Sequence, residues 1–291
     1  YSTDSITIDN ITGIEPPFAI SFVVNGKQGG ILPPGGTADL MVTFSPDTTI
    51  EYHYDTINIA GHSEVIKLPV SGLPTGSPGD SISDIDGNTY PTVWIGEQRW
   101  MAENLRTTIY KDSTSIDLLE ENSDWINDIK GAYSWYGNDS ASYAETYGAL
   151  YNWNVVKSRN VCPMGWHVPT DEEWKDLEVE LGMSNEDVEI DGWRGTNQGS
   201  KMAGNADLWP NNILISNPEF NIGKFEAKPA GYRNDVGIYT GNGFMTSIWS
   251  STKIDSSNIF IRELSFDTSN IKRSNYSTIN GLPVRCVYGS L

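Results

Sequence analysis

Across residues 1–72, apolar and polar positions alternate with the two-residue period of a half-buried strand. SITIDNI, FAISFVV, ADLMVTFSP, YDTINIA and EVIKLPVSG carry this alternation and are rich in Ile, Val, Thr and Phe, which fit a pleated surface. PP, NGK, LPPGG and GHS separate them, and their preset or permissive backbones turn the chain. No helical period occurs in this stretch. Short strands at such spacing predict an all-β sandwich over residues 1–73. In the LPTGSPGD that follows, nothing apolar comes after the leucine, which predicts a semi-rigid linker over residues 74–80.

From Ser81 the pattern changes. SDIDGNTYPTVWIG places Asp86-Gly87-Asn88 between two short alternating runs, which predicts a hairpin. Helical spacing follows over residues 122–129 and 147–157, where Leu150, Trp153 and Val156 fall on one face. After Glu180 the chain becomes Gly-, Asn- and Trp-rich with few periodic runs, a composition of long loops that form binding surfaces. FMTSIWSS, NIFIRELSF and GLPVRCVYG return to strand alternation.

The stretch WHVPTDEEW, residues 166–174, has the grammar of a helix start. Thr170 fits the N-cap, and Glu173 can reach back to the cap amide. Asp171 and Glu172 add negative charge where the helix dipole favours it. Val168 ahead of the cap and Trp174 at the fourth helical position fit a hydrophobic staple. Trp174, Leu177 and Leu181 continue the face, and Gly182 closes the helix. A catalytic reading asks His167 to work with Glu172 or Glu173. The histidine lies in extended chain before the cap and the acids are expected to point away from it, so the structural reading is preferred.

Charge narrows the partners. Among 291 residues, 38 acidic side chains against 19 basic give a net charge of −19, which argues against nucleic acid or an anionic membrane surface. No apolar run approaches the length of a membrane span. Tyr1 is not an initiator methionine, so the chain reads as a processed or truncated product. Asp84, Asp86 and Asn88 occupy the first, third and fifth places of a DxDxN loop, but the twelfth place is Ile95 where calcium needs a bidentate acid. A tight turn is preferred there, with calcium as the alternative, and no other cofactor is expected. No Gly-x-Ser-x-Gly, P-loop or dinucleotide fingerprint occurs, and the acid pairs Glu120-Glu121 and Glu172-Glu173 are adjacent, where neighbours face apart. No catalytic residue is assigned. Trp193, Trp209, Asn211, Asn212, Tyr232, Arg233 and Trp249 combine flat faces with amide and guanidinium donors, the chemistry that binds sugar rings or peptide surfaces. Of these, Trp249 and Tyr232 read better as core or loop-pinning residues, while Trp209 with Asn211 and Asn212 stays open between the two.

DIDGNTYPTVWIGEQRWMAENLRT, YGALYNWNVV, CPMGWHVPTDEEWKDL, GSKMAG, PAGYR, WSST and VRCV, in that order, resemble the Fibrobacter succinogenes major paralogous domain of surface and secreted proteins in Bacteroidetes and relatives. The resemblance covers residues 81–291. That domain is similar in turn to the C-type-lectin-like fold of the formylglycine-generating-enzyme branch, through WHVPTDEEW and the closing VRCV. The implied fold is an α+β C-type-lectin-like domain with long loops over one side. Those enzymes use redox-active cysteines near the C-terminus, and only Cys286 stands there. The resemblance therefore implies a Cys162–Cys286 disulfide, the alternative being two buried free thiols. Neither the Glu-Pro-Asn or Gln-Pro-Asp triplet nor the Trp-Asn-Asp of calcium-dependent lectins occurs, so that activity does not carry over. LPPGGTADLMVTFSP, residues 32–46, resembles the second half of the immunoglobulin-like choice-of-anchor D repeats, with one or two opening strands missing. Together these imply a non-enzymatic, extracellular or cell-surface adhesion protein, anchored to an outer membrane by a segment outside this chain. Its lectin-like domain would recognise a glycan or an extracellular protein from a β-sandwich spacer. The alternatives are a structural subunit of a surface polymer and a divergent hydrolase.

Overall fold

The five alternating segments of the N-terminal region are all strands: Ile6–Thr12, Phe18–Val24, Asp39–Phe44, His53–Gly61 and Glu64–Gly72. The computed structural model describes residues 79–289 with their side chains and, before them, only the backbone of the strand segments. Two further short strands, Lys27–Gln28 and Gly30–Leu32, complete the set. They form a four-stranded and a three-stranded sheet, paired antiparallel throughout. The turn clusters at residues 16–17, 25–26, 33–36 and 62–63, and the linker residues 73–76, lie outside the described residues. The chain divides into two units, Tyr1–Pro74 and Thr75–Leu291.

The second unit is α+β, mostly sheet, with few and short helices. Its five-stranded sheet runs Trp166–His167, Val287–Tyr288, Gln98–Met101, Thr89–Ile95 and Ser77–Ser83 in spatial order. The first and last strands of the unit thus share one sheet. Ser77–Ser83 narrows the linker reading, because Ser77, Pro78 and Gly79 already pair with Trp94, Val93 and Thr92. Pro78 has no amide to donate, and an edge strand tolerates that. A six-stranded sheet runs Gly192–Arg194, Ile271–Ser277, Asn258–Ser265, Met245–Lys253, Ala230–Arg233 and Tyr239–Asn242. A small sheet joins Asp117–Leu118, Ala132–Ser134 and Leu150–Tyr151.

Three other expectations are corrected. The helix expected over 147–157 is a helix Ser140–Tyr147, a strand Leu150–Tyr151 and a helix Trp153–Lys157. Gly148 breaks the run with φ +76°, where an added Cβ would stand 2.7 Å from that of Asn104. Asn152 then caps the next helix through the Val155 amide. The segment 122–129 is helical only to Ile126, since Asp128 takes the amides of Lys130 and Gly131 instead. GLPVRCVYG forms a strand only at Val287–Tyr288. Its earlier carbonyls serve several segments: Leu282 accepts from Tyr151, Val284 from Leu105 and Cys286 from Met101.

Two hydrophobic clusters fill the unit. One centres on Tyr151, Trp153 and Trp249, the other on Trp100, Trp174 and Phe225, whose ring centroids lie 4.9–5.7 Å apart. Beside the second lies a buried ionic network. Arg262, with no exposed surface, reaches Glu178 at 2.6 Å and Asp171 at 2.7 Å. Arg273 takes the other Asp171 oxygen at 2.7 Å, and Arg194 takes the other Glu178 oxygen at 2.5 Å. Burial works to raise the Asp171 pKa, but its bonds to Arg273 and the Arg262 charge outweigh that and hold it low. Cys162 and Cys286, 124 residues apart, are joined by a disulfide as expected.

Two outcomes follow from this packing. Asp171→Asn or Arg262→Met strands buried charge and lowers unfolding free energy by about 3–5 kcal/mol in urea titration; a cost under about 1 kcal/mol would mean the network is not structural. Closure of so long a loop stabilises by about 4–5 kcal/mol in the chain-entropy model. The Cys162→Ala/Cys286→Ala protein should lose a stability of that order, measured by the same titration.

Candidate functional site

The helix start at Thr170 has the predicted cap. Thr170 Oγ1 accepts from the Glu173 amide at 3.2 Å, and Glu173 Oε2 accepts from the Thr170 amide at 2.8 Å. The staple is corrected: Val168 and Trp174 are both buried but in different core clusters. The orientation of the acids is also corrected. Glu173 turns back toward the cap, and its Oε1 lies 2.7 Å from His167 Nε2. His167 Nδ1 lies 2.9 Å from the Gly289 carbonyl. Both neighbours are acceptors, an arrangement that favours the imidazolium, in which both ring nitrogens donate. Burial works to lower the His167 pKa, but the Glu173 hydrogen bond, the Gly289 carbonyl and the Glu173 charge outweigh it and hold it above 6.5. Burial likewise works to raise Glu173, and its bonds to His167 and Thr170 hold it below 4.5. With both nitrogens engaged, this pair ties Gly289, just past the last strand, to the capped helix.

The DxDxN segment is a turn in which the carboxylates serve protein donors. Asp84 accepts from the Asn88 amide, the Asn88 side chain and the Tyr90 hydroxyl at 2.5–2.9 Å. Asp86 accepts from the Thr108 amide at 2.6 Å and from the Thr107 and Thr108 hydroxyls. Among the described residues no three His, Cys, Asp or Glu side chains gather as a metal-ligand group.

The predicted aromatic–amide residues do not converge. Trp209 and Trp249 are core, donating their indole N–H to the Gly204 and Tyr151 carbonyls. Tyr232 is half-buried against Tyr276. Arg233 is fully buried and donates to the carbonyls of Leu119, Glu120 and Gly237 at 2.6–2.9 Å. Asn212 bonds the Ile213 amide, while Asn211 is exposed. Trp193 is 42% exposed on the edge strand Gly192–Arg194, with Lys272 over its ring. The loops from 190 to 250 thus direct most of their aromatic surface inward.

A different aromatic surface lies at the opposite edge of the six-stranded sheet. Tyr239 on the edge strand, Tyr136 after Ala132–Ser134, and Tyr143 and Tyr147 on the helix Ser140–Tyr147 form a row of half-buried rings with centroids 5.2–5.8 Å apart. Gly231 permits the approach, since an added Cβ would stand 2.9 Å from the Tyr136 ring and closer still to the backbone of Thr240 and Asn242. Arg233 underlies the row, its guanidinium 4.9 Å from the Tyr239 ring centroid. Asn138, exposed, accepts from the Tyr239 hydroxyl at 2.5 Å and donates to the Glu120 carbonyl. Asn242, on the edge strand, donates to the Pro229 carbonyl. An open groove of about 410 Å³ lies between Asp117–Leu118 and the helix Asn122–Ile126, with Leu119, an Arg233 partner, in its wall. Rings with polar edges, beside amides and on anchored loops, can stack on a ring-shaped ligand and bond its hydroxyls. The sequence reading missed these four residues because three segments contribute them; only the i, i+4 spacing of Tyr143 and Tyr147 signals a shared face.

A family model described as the Fibrobacter succinogenes major domain matches residues 93–288. No curated protein and no solved structure matches the chain.

The His167–Glu173 pair has a defined pH window. The raised histidine contributes fully below pH 6.5 and is lost as pH rises through its folded pKa; the lowered glutamate contributes above 4.5 and is lost as pH falls through its own. The melting-temperature gap between wild type and His167→Gln should be widest between those values. A gap that keeps growing as pH rises above the histidine range would contradict the pairing.

Proposed function

The chain belongs to the Fibrobacter succinogenes major domain family, and on that footing we propose that its second unit is a non-enzymatic, extracellular glycan-binding domain that acts through the tyrosine row. The observation that carries this reading is the half-exposed row of Tyr239, Tyr136, Tyr143 and Tyr147 beside exposed Asn138. Tyrosine offers a broad apolar face at low conformational cost and a hydroxyl for polar contact, so a pre-anchored row suits sugar rings. The N-terminal strands serve as an immunoglobulin-like spacer, and the disulfide is in keeping with an oxidising compartment.

The finer fold proposal is C-type-lectin-like. Its support is the presence of the unit's first and last strands in one sheet, with the loop-rich remainder carried between them. A surface-polymer subunit is the competing role.

Polysaccharide pull-down and glycan arrays test the assignment. Tyr143→Ala and Tyr239→Ala should each weaken binding tenfold or more, about 1.4 kcal/mol. Trp193→Ala should leave binding unchanged. Tyr143→Ala is the cleaner variant because its helix buries no residue, so its melting temperature should not move. Failure to bind any glycan would favour the polymer-subunit role, and loss confined to Trp193→Ala would move the site to the other sheet edge.

A further inference from the structure

Charge around the tyrosine row restricts what the row can hold. Glu120 and Asp139 are exposed beside it. Asp139 caps the helix that carries Tyr143 and Tyr147, and the Glu120 charge acts on the Tyr239 hydroxyl; Glu145, two residues from each of those tyrosines, faces the other side of the helix. Two cations lie close by. Arg106 is 3.3 and 3.4 Å from Glu103 and Glu145 and offsets that acid, and Arg233 is buried beneath the Tyr239 ring on backbone carbonyls, a single charge below the exposed acids. A carboxylated or sulfated sugar stacked on these rings would sit within a Debye length, about 8 Å at physiological salt, of the exposed acids Glu120 and Asp139. The whole chain adds to this, with 38 acidic residues against 19 basic.

Geometry restricts the mode of contact as well. The rings follow one another as Tyr239, Tyr136, Tyr143 and Tyr147 rather than closing around a point. A row engages several units along a chain, whereas a pit would engage a terminal sugar. The carboxylates nearest in type to a calcium loop, Asp84 and Asp86, already serve protein donors.

Resting on the glycan reading above, we propose that the ligand is an uncharged polysaccharide, gripped along its length by ring stacking and amide hydrogen bonds, with no divalent cation in the contact. Repulsion by the acidic rim is the specificity element, and it operates against anionic glycans of the same backbone.

Affinity electrophoresis of the full chain tests this with matched soluble pairs. Hydroxyethylcellulose is set against carboxymethylcellulose and dextran against dextran sulfate, within a wider panel of neutral plant, bacterial and fungal polysaccharides and their charged derivatives. At least one neutral polymer should retard the protein at least tenfold more strongly than its anionic partner, with or without EDTA. Glu120→Gln/Asp139→Asn and added salt should both narrow that gap. Equal or stronger retardation by the anionic member, or loss of binding with EDTA, overturns the proposal. Neutral binding that survives Tyr143→Ala and Tyr239→Ala overturns the site while leaving glycan recognition standing. No retardation by any polymer overturns the glycan reading itself, and this proposal with it.

Discussion

Asp171 holds the second unit together. It is the first residue of the capped helix, where a carboxylate suits the helix dipole, yet it is almost fully buried and its oxygens are taken by Arg262 and Arg273 from two neighbouring strands. Arg262 passes the constraint to Glu178 on the same helix, and Glu178 passes it to Arg194 on the sheet edge. Asp171 and Glu178 are separated by two turns, so two points on one helix face are fixed against three strands. Such a network need not add net stability over a well-packed apolar core. It does fix one register of helix on sheet, because a displacement would leave several buried charges unpaired at once.

The same residue type does different work elsewhere. Arg233 and Arg285 are fully buried and donate largely to backbone carbonyls. Arg285 bonds the carbonyls of Phe225 and Glu226 and the Asn104 side chain, and burial brings its pKa down to about 9. Irregular chain has no ladder to satisfy its carbonyls, and a planar guanidinium can satisfy several at once. A loop fixed in this way would lose little entropy if it bound a ligand. The tyrosine row benefits directly, since Arg233 holds the chain at Leu119 and Glu120 while its guanidinium supports the Tyr239 ring.

Local grammar was readable from the sequence. The five N-terminal strands, the Asp84–Asn88 turn and the Thr170 capping box all depend on residues a few positions apart, and all stand where the pattern placed them. Contacts across the fold were less readable. Nothing near His167 announces that Gly289, 122 residues on, supplies the second acceptor that makes Glu173 its partner. The strand Ile271–Ser277 escaped because IKRSNYS spends its arginine on the buried network, so its inward face does not look apolar. The break at Gly148 escaped because the helical spacing of Leu150, Trp153 and Val156 is equally produced by a strand leading into a short helix.

Tryptophan misled for a physical reason. An indole brings a large apolar body and a single N–H, which suits it to burial in loop-rich chain where one carbonyl needs a donor. Trp125, Trp209 and Trp249 do this, donating to the carbonyls of Ile279, Gly204 and Tyr151. Richness in tryptophan and asparagine over 190–250 therefore marks chain that packs itself. Tyrosine carries a hydroxyl that both donates and accepts at the far end of its ring, so it is stable with one edge in water. Where the fold leaves aromatic surface half exposed in a row, at Tyr239, Tyr136, Tyr143 and Tyr147, it is tyrosine that lies there. Aromatic content alone cannot separate these two uses; the number of polar atoms that must stay hydrated does.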